Sequence, residues 1–136
     1  MKRKVLNSIM VLMLSMFVFY SCKKDDVTQP IVFTRDDYIG SWNGTEAPAA
    51  KNQYFICVIS ADPNVSTNVN MNKFANIAGN TYAVVTGANI TIPRQTLSGN
   101  IIEGWGSMQN KSYITFHYYV NNGTDSVVYN TTFNKQ

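Results

Sequence analysis

An alternation of apolar and polar residues with a period of two runs through most of this chain, from Asp37 to the last residue, Gln136. The alternating segments are rich in Val, Ile, Thr, Tyr and Phe, and residues that favour turns separate them. Because successive side chains of a β-strand point to opposite faces, this pattern predicts strands with one buried face each. No amphipathic stretch of helical length interrupts it. The chain is therefore expected to form an all-β domain.

The alternating segments predict about eight strands. They are Tyr38–Thr45, Gln53–Ser60, Asn68–Lys73, Thr81–Thr86, Asn89–Ile92, Asn100–Met108, Lys111–Val120 and Asp125–Asn134. The last two flank Asn121-Asn122-Gly123-Thr124, where Asn and Gly tolerate the positive φ of a tight hairpin. Short connections predict antiparallel neighbours, and a small sheet must hide its edges. We expect an up-and-down meander that closes into a small barrel, with a β-sandwich as the alternative.

Two local features modify this pattern. Pro93 follows Asn89–Ile92 and has no N–H to donate, so it is expected to end that strand. Gly104 and Gly106 flank a tryptophan within a later strand. They would allow a sharp bend or the close approach of another backbone, as barrel corners require.

The N-terminus has the layout of a signal peptide. A basic segment, Lys2–Lys4, precedes a nearly unbroken apolar run, Ile9–Tyr20, and then Ser21 and Cys22. The run is about a dozen residues long, whereas a helix needs roughly 20 to cross a bilayer, so a permanent membrane span is disfavoured. Residues 1–21 are therefore predicted to be removed.

Ser21 and Cys22 indicate cleavage of the lipoprotein type, in which a small residue precedes a cysteine that receives a diacylglycerol. Phe19 and Tyr20 are bulkier than usual before such a site, which resembles the relaxed lipoboxes of Bacteroidetes. We therefore expect lipidation of Cys22 and anchoring in the outer membrane, on its periplasmic side or at the cell surface. An ordinary secretory signal with an incidental cysteine is the alternative.

Residues 22–36 form a predicted tether, and residues 37–136 a single domain. The tether is polar and contains Pro30, and some twelve flexible residues would hold the domain roughly 20 Å from the lipid. Lys24-Asp25-Asp26 resembles the signal that sends some Bacteroidetes lipoproteins to the cell surface, although a solvated spacer would have the same composition. About 115 residues remain after cleavage, enough for one core.

The formal net charge of +3 belongs to the leader. Removing Lys2, Arg3 and Lys4 from the 11 basic residues leaves eight, which balance eight acidic ones. A neutral mature chain lacks the basic surface that binds phosphates, so nucleic acid is excluded as an expected partner. Lipidation of Cys22 would leave Cys57 without a disulfide partner, and its apolar neighbours predict a buried thiol.

Tyr38-Ile39-Gly40-Ser41-Trp42 opens the domain with Gly-x-Trp and resembles the first signature of lipocalin-like barrels. The resemblance implies that Trp42 plugs the closed end. Asn89 to Thr96 and Ile102 to Gly106 are similar to a pattern in small lipocalin-like lipoproteins of Bacteroidetes. The chain departs from typical lipocalins, because its mature part is shorter and it lacks a second motif of the Thr-Asp-Tyr type and a long C-terminal helix. No arginine follows the last strand to stack on Trp42, and Lys135 is the cation there.

The sequence predicts no enzyme, cofactor or metal site. One histidine, one free cysteine and scattered acids do not form a metal-ligand pattern. His117 is the only imidazole base for a hydrolase, and we expect it to be structural or exposed. Glu46 and Glu103 could form a glycosidase pair only if the fold brought them together.

Binding is the expected function, through aromatic side chains with polar tips, which stack on sugars and apolar rings alike. The candidates are Trp105, Tyr113, His117, Tyr119 and Tyr129. They are predicted to line a groove or the barrel mouth and to hold a small apolar or glycan ligand. Two other roles remain open: these residues could belong to the core of a filled barrel, or the barrel loops could bind or inhibit another protein.

Overall fold

The computed structural model describes residues 30–47 and 53–136. The compact unit extends from Ile31 to Gln136. The predicted leader, Cys22, and the predicted tether up to residue 29 lie outside the described residues. Within the described ranges, no helix is long and apolar enough to cross a membrane.

Each strand pairs antiparallel with its neighbours along the chain, and β8 also pairs with β1, which closes the sheet. The strands are β1 (Gly40–Ala47), β2 (Gln53–Ala61), β3 (Asn68–Asn72), β4 (Asn80–Thr86), β5 (Asn89–Leu97), β6 (Asn100–Asn110), β7 (Tyr113–Asn121) and β8 (Ser126–Lys135). The predicted lipocalin-like up-and-down barrel is therefore confirmed, and the sandwich alternative is wrong.

The strand alternation divides the side chains between a packed interior and a polar outer face. In β7, Ile114, Phe116 and Tyr118 are buried, whereas the residues between them are half-exposed. The buried residues of all strands form one apolar core. Cys57 belongs to it, and burial raises the pKa of its thiol to about 12. The barrel interior is thus filled by side chains.

Gly104 and Gly106 explain how β6 and β7 fit around this interior. They face inward opposite Tyr118 and Phe116, their partners in the register of the two strands. A methyl group on Gly106 would lie 2.6 Å from Cδ1 of Phe116, well inside van der Waals contact. The glycines therefore make room for two aromatic residues of β7, in agreement with the predicted close approach.

β5 corrects the expectation that Pro93 ends a strand. β5 continues to Leu97, with a shift of register against β6 between Ile92 and Gln95. The side-chain amide of Gln95 donates to the carbonyl of Tyr82 at 2.8 Å and accepts from its N–H at 3.0 Å. Because an amide side chain carries the same groups as a peptide, Gln95 replaces ladder bonds where the β4–β5 pairing ends.

A helical turn near the closed end was also missed by the sequence prediction. Tyr38 does not begin the first strand but ends α1 (Arg35–Tyr38). The backbone N–H of Thr34 donates to Oδ2 of Asp37 at 2.8 Å, as in a capping box, and this bond stabilises so short a turn. The indole N–H of Trp42 then donates to the Tyr38 carbonyl at 2.8 Å. The turn thus covers Trp42, which is fully buried.

Lys135 occupies the cationic position beside Trp42. Its Nζ lies 5.1 Å from the centroid of the indole ring and donates to the carbonyl of Asp37 at 2.8 Å. A cation over a tryptophan face contributes about 0.5–2 kcal/mol. Lys135 is therefore the cation that packs on Trp42 at the end of the last strand.

Asp37 makes the stability of this end dependent on pH. A hydrogen bond from Lys111, 2.9 Å away, and then the N–H of Thr34 lower the pKa of Asp37 to about 2 from an ordinary 3.8. The carboxylate therefore stabilises the fold above about pH 4, and this contribution is lost as the pH falls through 2. We expect Asp37→Asn to lower the free energy of unfolding at pH 7 by about 1 kcal/mol.

Urea denaturation at pH 7 and pH 2 tests this expectation, since the difference in stability between the wild type and Asp37→Asn should be much smaller at the lower pH, where about half of the Asp37 carboxylates are protonated. Asp36→Asn is the control, because Asp36 is 78% exposed and meets only Arg35, so its change should stay below about 0.5 kcal/mol. A difference for Asp37→Asn that is equal at both pH values would contradict the assigned role.

The opposite end, called the mouth, lies at the β3–β4 and β7–β8 connections and is filled from within by Phe74. This residue begins a single 3-10 turn, Phe74–Asn76, and is fully buried. Its ring centroid lies 5.4 Å from that of Phe116, 4.7 Å from that of Tyr118 and 6.0 Å from that of Phe133. Phe74 therefore acts as an internal plug under the mouth.

The backbone around Phe74 adopts an unfavourable conformation. Lys73 and Ala75 have φ angles of 59° and 54° in the left-handed region, which costs a residue with a side chain roughly 1–2 kcal/mol. Such strain persists where the surroundings enforce it. Burial of a phenyl ring, worth about 1.5–3 kcal/mol, offsets much of the cost. The inserted ring of Phe74 thus holds the turn in place.

Candidate functional site

The five aromatic candidates lie on two sides of the barrel wall. Tyr113, His117 and Tyr119 are alternate residues of β7 on the outer face, and Trp105 faces outward beside His117 on β6. Tyr129 points inward at the mouth, where its ring stacks on that of buried Tyr118 with centroids 5.3 Å apart. The structure therefore does not unite the five in one cavity. It brings Trp105 and His117 together and separates Tyr129 from them.

Trp105 and His117 form the centre of the outer face. The centroids of the two rings are 5.5 Å apart, and the ring planes are inclined by 31°. Trp105 is 58% exposed. Nδ1 of His117 lies 2.8 Å from Oδ1 of Asn130 on β8, so the imidazole donates this bond and its orientation is fixed. An exposed indole is thus held against a fixed imidazole, with an amide beside them.

The strand register arranges the neighbouring side chains in two rows across four strands. One row is Trp105, His117, Asn130 and Ala47, and the next is Ser107, Thr115, Thr132 and Thr45. The first row supplies aromatic rings and an amide, and the second supplies only hydroxyl groups. The two rows are two residues apart along each strand, which corresponds to about 7 Å, so one elongated ligand can reach both rows.

A groove of about 470 Å³ follows these rows. Its lining includes Trp105, His117, Asn130, Thr45, Thr115 and Thr132, and we call it the outer groove. A smaller depression of about 390 Å³ lies on the other side of the indole, between Glu103 and Tyr119. Trp105 is therefore accessible from two sides.

Charged and polar groups border the Trp105 side of the groove. Glu103 lies 3.5 Å from Nη1 of Arg94 in an exposed ion pair. The hydroxyl of Tyr119 lies 3.0 Å from that of Ser126, which lowers its pKa, and Asn121 donates to it at 2.9 Å. These contacts keep Tyr119 away from the outer groove. Tyr113 lies two rows from His117 along β7 and does not line the groove either.

A separate cavity of about 220 Å³ lies at the mouth. Its lining includes Glu46, Gln53, Ile77, Val120, Asp125 and Tyr129, and we call it the mouth cavity. Glu46 is 7% exposed and accepts a hydrogen bond from the hydroxyl of Tyr118. Phe74 closes the barrel interior below, so the cavity is a shallow site at the rim.

The two carboxylates considered as a glycosidase pair do not meet. Glu46 bonds to Tyr118 inside the wall, whereas Glu103 pairs with Arg94 outside it. Among the described residues, no group of three or more His, Cys, Asp or Glu side chains could hold a metal ion. The outer groove and the mouth cavity present aromatic ring faces, hydroxyl groups, amides and carboxylates to a ligand.

Several residues of the two sites escaped the sequence analysis. Asn130 could have been found, because the short β7–β8 hairpin places it opposite His117. Thr45 could not, because it reaches Thr132 only through the closure of β1 on β8. Glu46 could have been found too, because it lies on the same face of β1 as Trp42, which the family resemblance placed inside the barrel.

Comparisons with known proteins do not assign the chain to a family. No family model matches it, and no curated protein matches it significantly.

Proposed function

We propose that this protein is an exported lipoprotein of the kind found in Bacteroidetes, anchored through Cys22, whose barrel binds glycans at the outer groove without catalysing a reaction. The basic and apolar leader and the Ser21-Cys22 pair support export and lipidation. The polar tether supports display of the barrel away from the outer membrane. The lipid and the glycan are thus the proposed partners, and nucleic acid is not.

The exposed indole of Trp105 is the observation that carries the proposal. A large aromatic side chain that is 58% exposed loses the benefit of burial unless a ligand covers it. His117, fixed by Asn130, supports one side of the ring. A pyranose ring has an apolar face of C–H groups that matches such a flat surface.

The hydroxyl row favours a sugar over a purely apolar ligand. Thr115, Thr132 and Thr45 present donors and acceptors in the groove beside Trp105, and Asn130 adds an amide. An apolar ligand would leave these groups without partners, which costs free energy. Phe74 and its aromatic neighbours also fill the space where a barrel would enclose an apolar molecule. Both observations support a glycan at the outer groove.

A glycan array with the full-length chain, followed by calorimetric titration of the best oligosaccharide, tests the proposal. We expect Trp105→Ala to weaken binding at least tenfold, because stacking and burial of the indole exceed about 1.4 kcal/mol. Tyr82→Ala is the matched control, since Tyr82 is 40% exposed on β4 and does not line the groove. An array without any saturable ligand, or equal losses for both variants, would reject the proposal.

An apolar stripe on β2 supports a second candidate function, the binding of another protein. Tyr54, Ile56 and Val58 point outward and are 72%, 51% and 44% exposed. Exposed apolar patches of this kind mark interaction surfaces. Ile56→Glu would abolish binding through this stripe and leave glycan binding unchanged, which separates the two candidates.

A further inference from the structure

Glu46 is a buried carboxylate that lines the mouth cavity and also borders the outer groove. It is 7% exposed and lies at the base of the mouth cavity. The hydroxyl of Tyr118 donates to it and in turn accepts from Oγ1 of Thr131 at 3.3 Å. These bonds fix the carboxylate in one orientation. A carboxylate accepts up to about four hydrogen bonds, so it retains capacity for a further donor.

The described residues provide no cation for this charge. Their ion pairs join Arg35 with Asp36, Arg94 with Glu103 and Lys111 with Asp37, and none includes Glu46. No Lys or Arg of the described ranges lines the mouth cavity, whereas Asp125 adds a second acid at its rim. Burial of a charge without a counter-ion is costly, so a buried carboxylate that pairs with no cation among the described residues suits a site that receives its counter-charge from a ligand.

The remaining walls suit the organic part of a cation. Tyr129 presents an aromatic ring that is held by stacking on Tyr118, and Ile77 and Val120 add apolar surface. An ammonium group near an aromatic ring gains a cation–π interaction, and more when water is excluded. Burial raises the pKa of Tyr118, which therefore remains a neutral donor to Glu46. The cavity, of about 220 Å³, has room for a small molecule only.

We propose that the mouth cavity is a second binding site, specific for a small organic ammonium ion. The ammonium group binds at Glu46, its carbon substituents pack against Tyr129 and the apolar wall, and Asp125 adds negative charge at the rim. Glu46 borders both sites, but Trp105 lines the outer groove and not the mouth cavity, whereas Tyr129 and Asp125 line the mouth cavity and not the outer groove. Success or failure of the glycan proposal therefore leaves this one open to its own test.

Calorimetric titration of the full-length chain in mild detergent with benzylammonium, propylammonium and tetramethylammonium tests the site. Benzyl alcohol serves as the neutral analogue of similar size. We expect saturable binding of at least one ammonium ion and at least tenfold weaker binding of benzyl alcohol. Glu46→Gln keeps the shape of the side chain and should weaken ammonium binding at least tenfold. Asp125→Asn should weaken it less, because Asp125 lies at the exposed rim.

Glu103→Gln is the matched control, since it neutralises a carboxylate on the outer face. It should leave ammonium binding unchanged. Circular dichroism and thermal unfolding establish whether Glu46→Gln folds, and if it does not, Asp125→Asn and the comparison with benzyl alcohol decide alone. The proposal is overturned if no ammonium ion binds saturably, if benzyl alcohol binds equally well, or if the folded Glu46→Gln variant binds as the wild type does.

Discussion

Replacement of Phe74 by alanine is expected to lower the free energy of unfolding by about 3–5 kcal/mol, the range for a fully buried phenylalanine. The ring fills the space between Phe116, Tyr118 and Phe133, and these residues cannot collapse into the vacancy without moving strands of a closed barrel. The strained turn around it would also lose the burial that offsets its cost. Urea denaturation at pH 7 measures the effect.

Two further variants make this prediction specific. Phe74→Leu keeps most of the volume and is expected to cost less than Phe74→Ala, which keeps the test valid if the alanine variant does not fold. Tyr54→Ala removes an aromatic ring that is 72% exposed and should change stability by no more than about 0.5 kcal/mol. A loss below about 1 kcal/mol for Phe74→Ala would mean that the ring does not plug the barrel.

Replacement of Cys22 by serine is expected to abolish both lipidation and membrane retention. A serine hydroxyl does not take the place of the thiol that accepts the diacylglycerol, so the chain would lose its predicted anchor. Acyl chains are what hold such a protein, because each buried CH₂ contributes about 0.8 kcal/mol. Labelling with radioactive palmitate and separation of membrane from soluble fractions measure the two effects.

Cys57→Ser provides the matched control, because it removes the other cysteine of the chain. Cys57 is fully buried within the barrel, so its replacement should leave the palmitate label and the membrane fraction unchanged. If the Cys22→Ser protein stayed in the membrane fraction, the anchor would lie elsewhere and the lipoprotein proposal would be wrong.

Short-range pattern accounts for the parts of the fold that the sequence predicted well. The β7–β8 hairpin is an example, because four residues join the strands and Gly123 adopts a φ of 88°. The errors at Pro93 and Tyr38 have a different origin. β5 continues past the proline because Gln95 bonds to Tyr82 on a neighbouring strand, and α1 packs over Trp42. Side-chain contacts outweighed local preference at both places.

The candidate site was predicted in part, and strand parity explains the remainder. Of the five predicted binding residues, Trp105 and His117 lie side by side, because β6 and β7 form a hairpin that pairs them. Tyr129 lies inside because residues of β8 with odd numbers face the core, whereas those of β7 face outward. A shift of one residue in register exchanges the two faces, so composition alone could not separate the groups.

The sequence by itself determined the all-β class, the number of strands and their antiparallel order, since these follow from alternation and short turns. Only the tertiary structure decided which aromatic rings are exposed, because closure of β1 on β8 sets the register around the barrel. It also placed Phe74 under the mouth and buried Glu46 beside Tyr118. These contacts join residues far apart in the chain, and their free energy depends on burial that no local segment achieves alone.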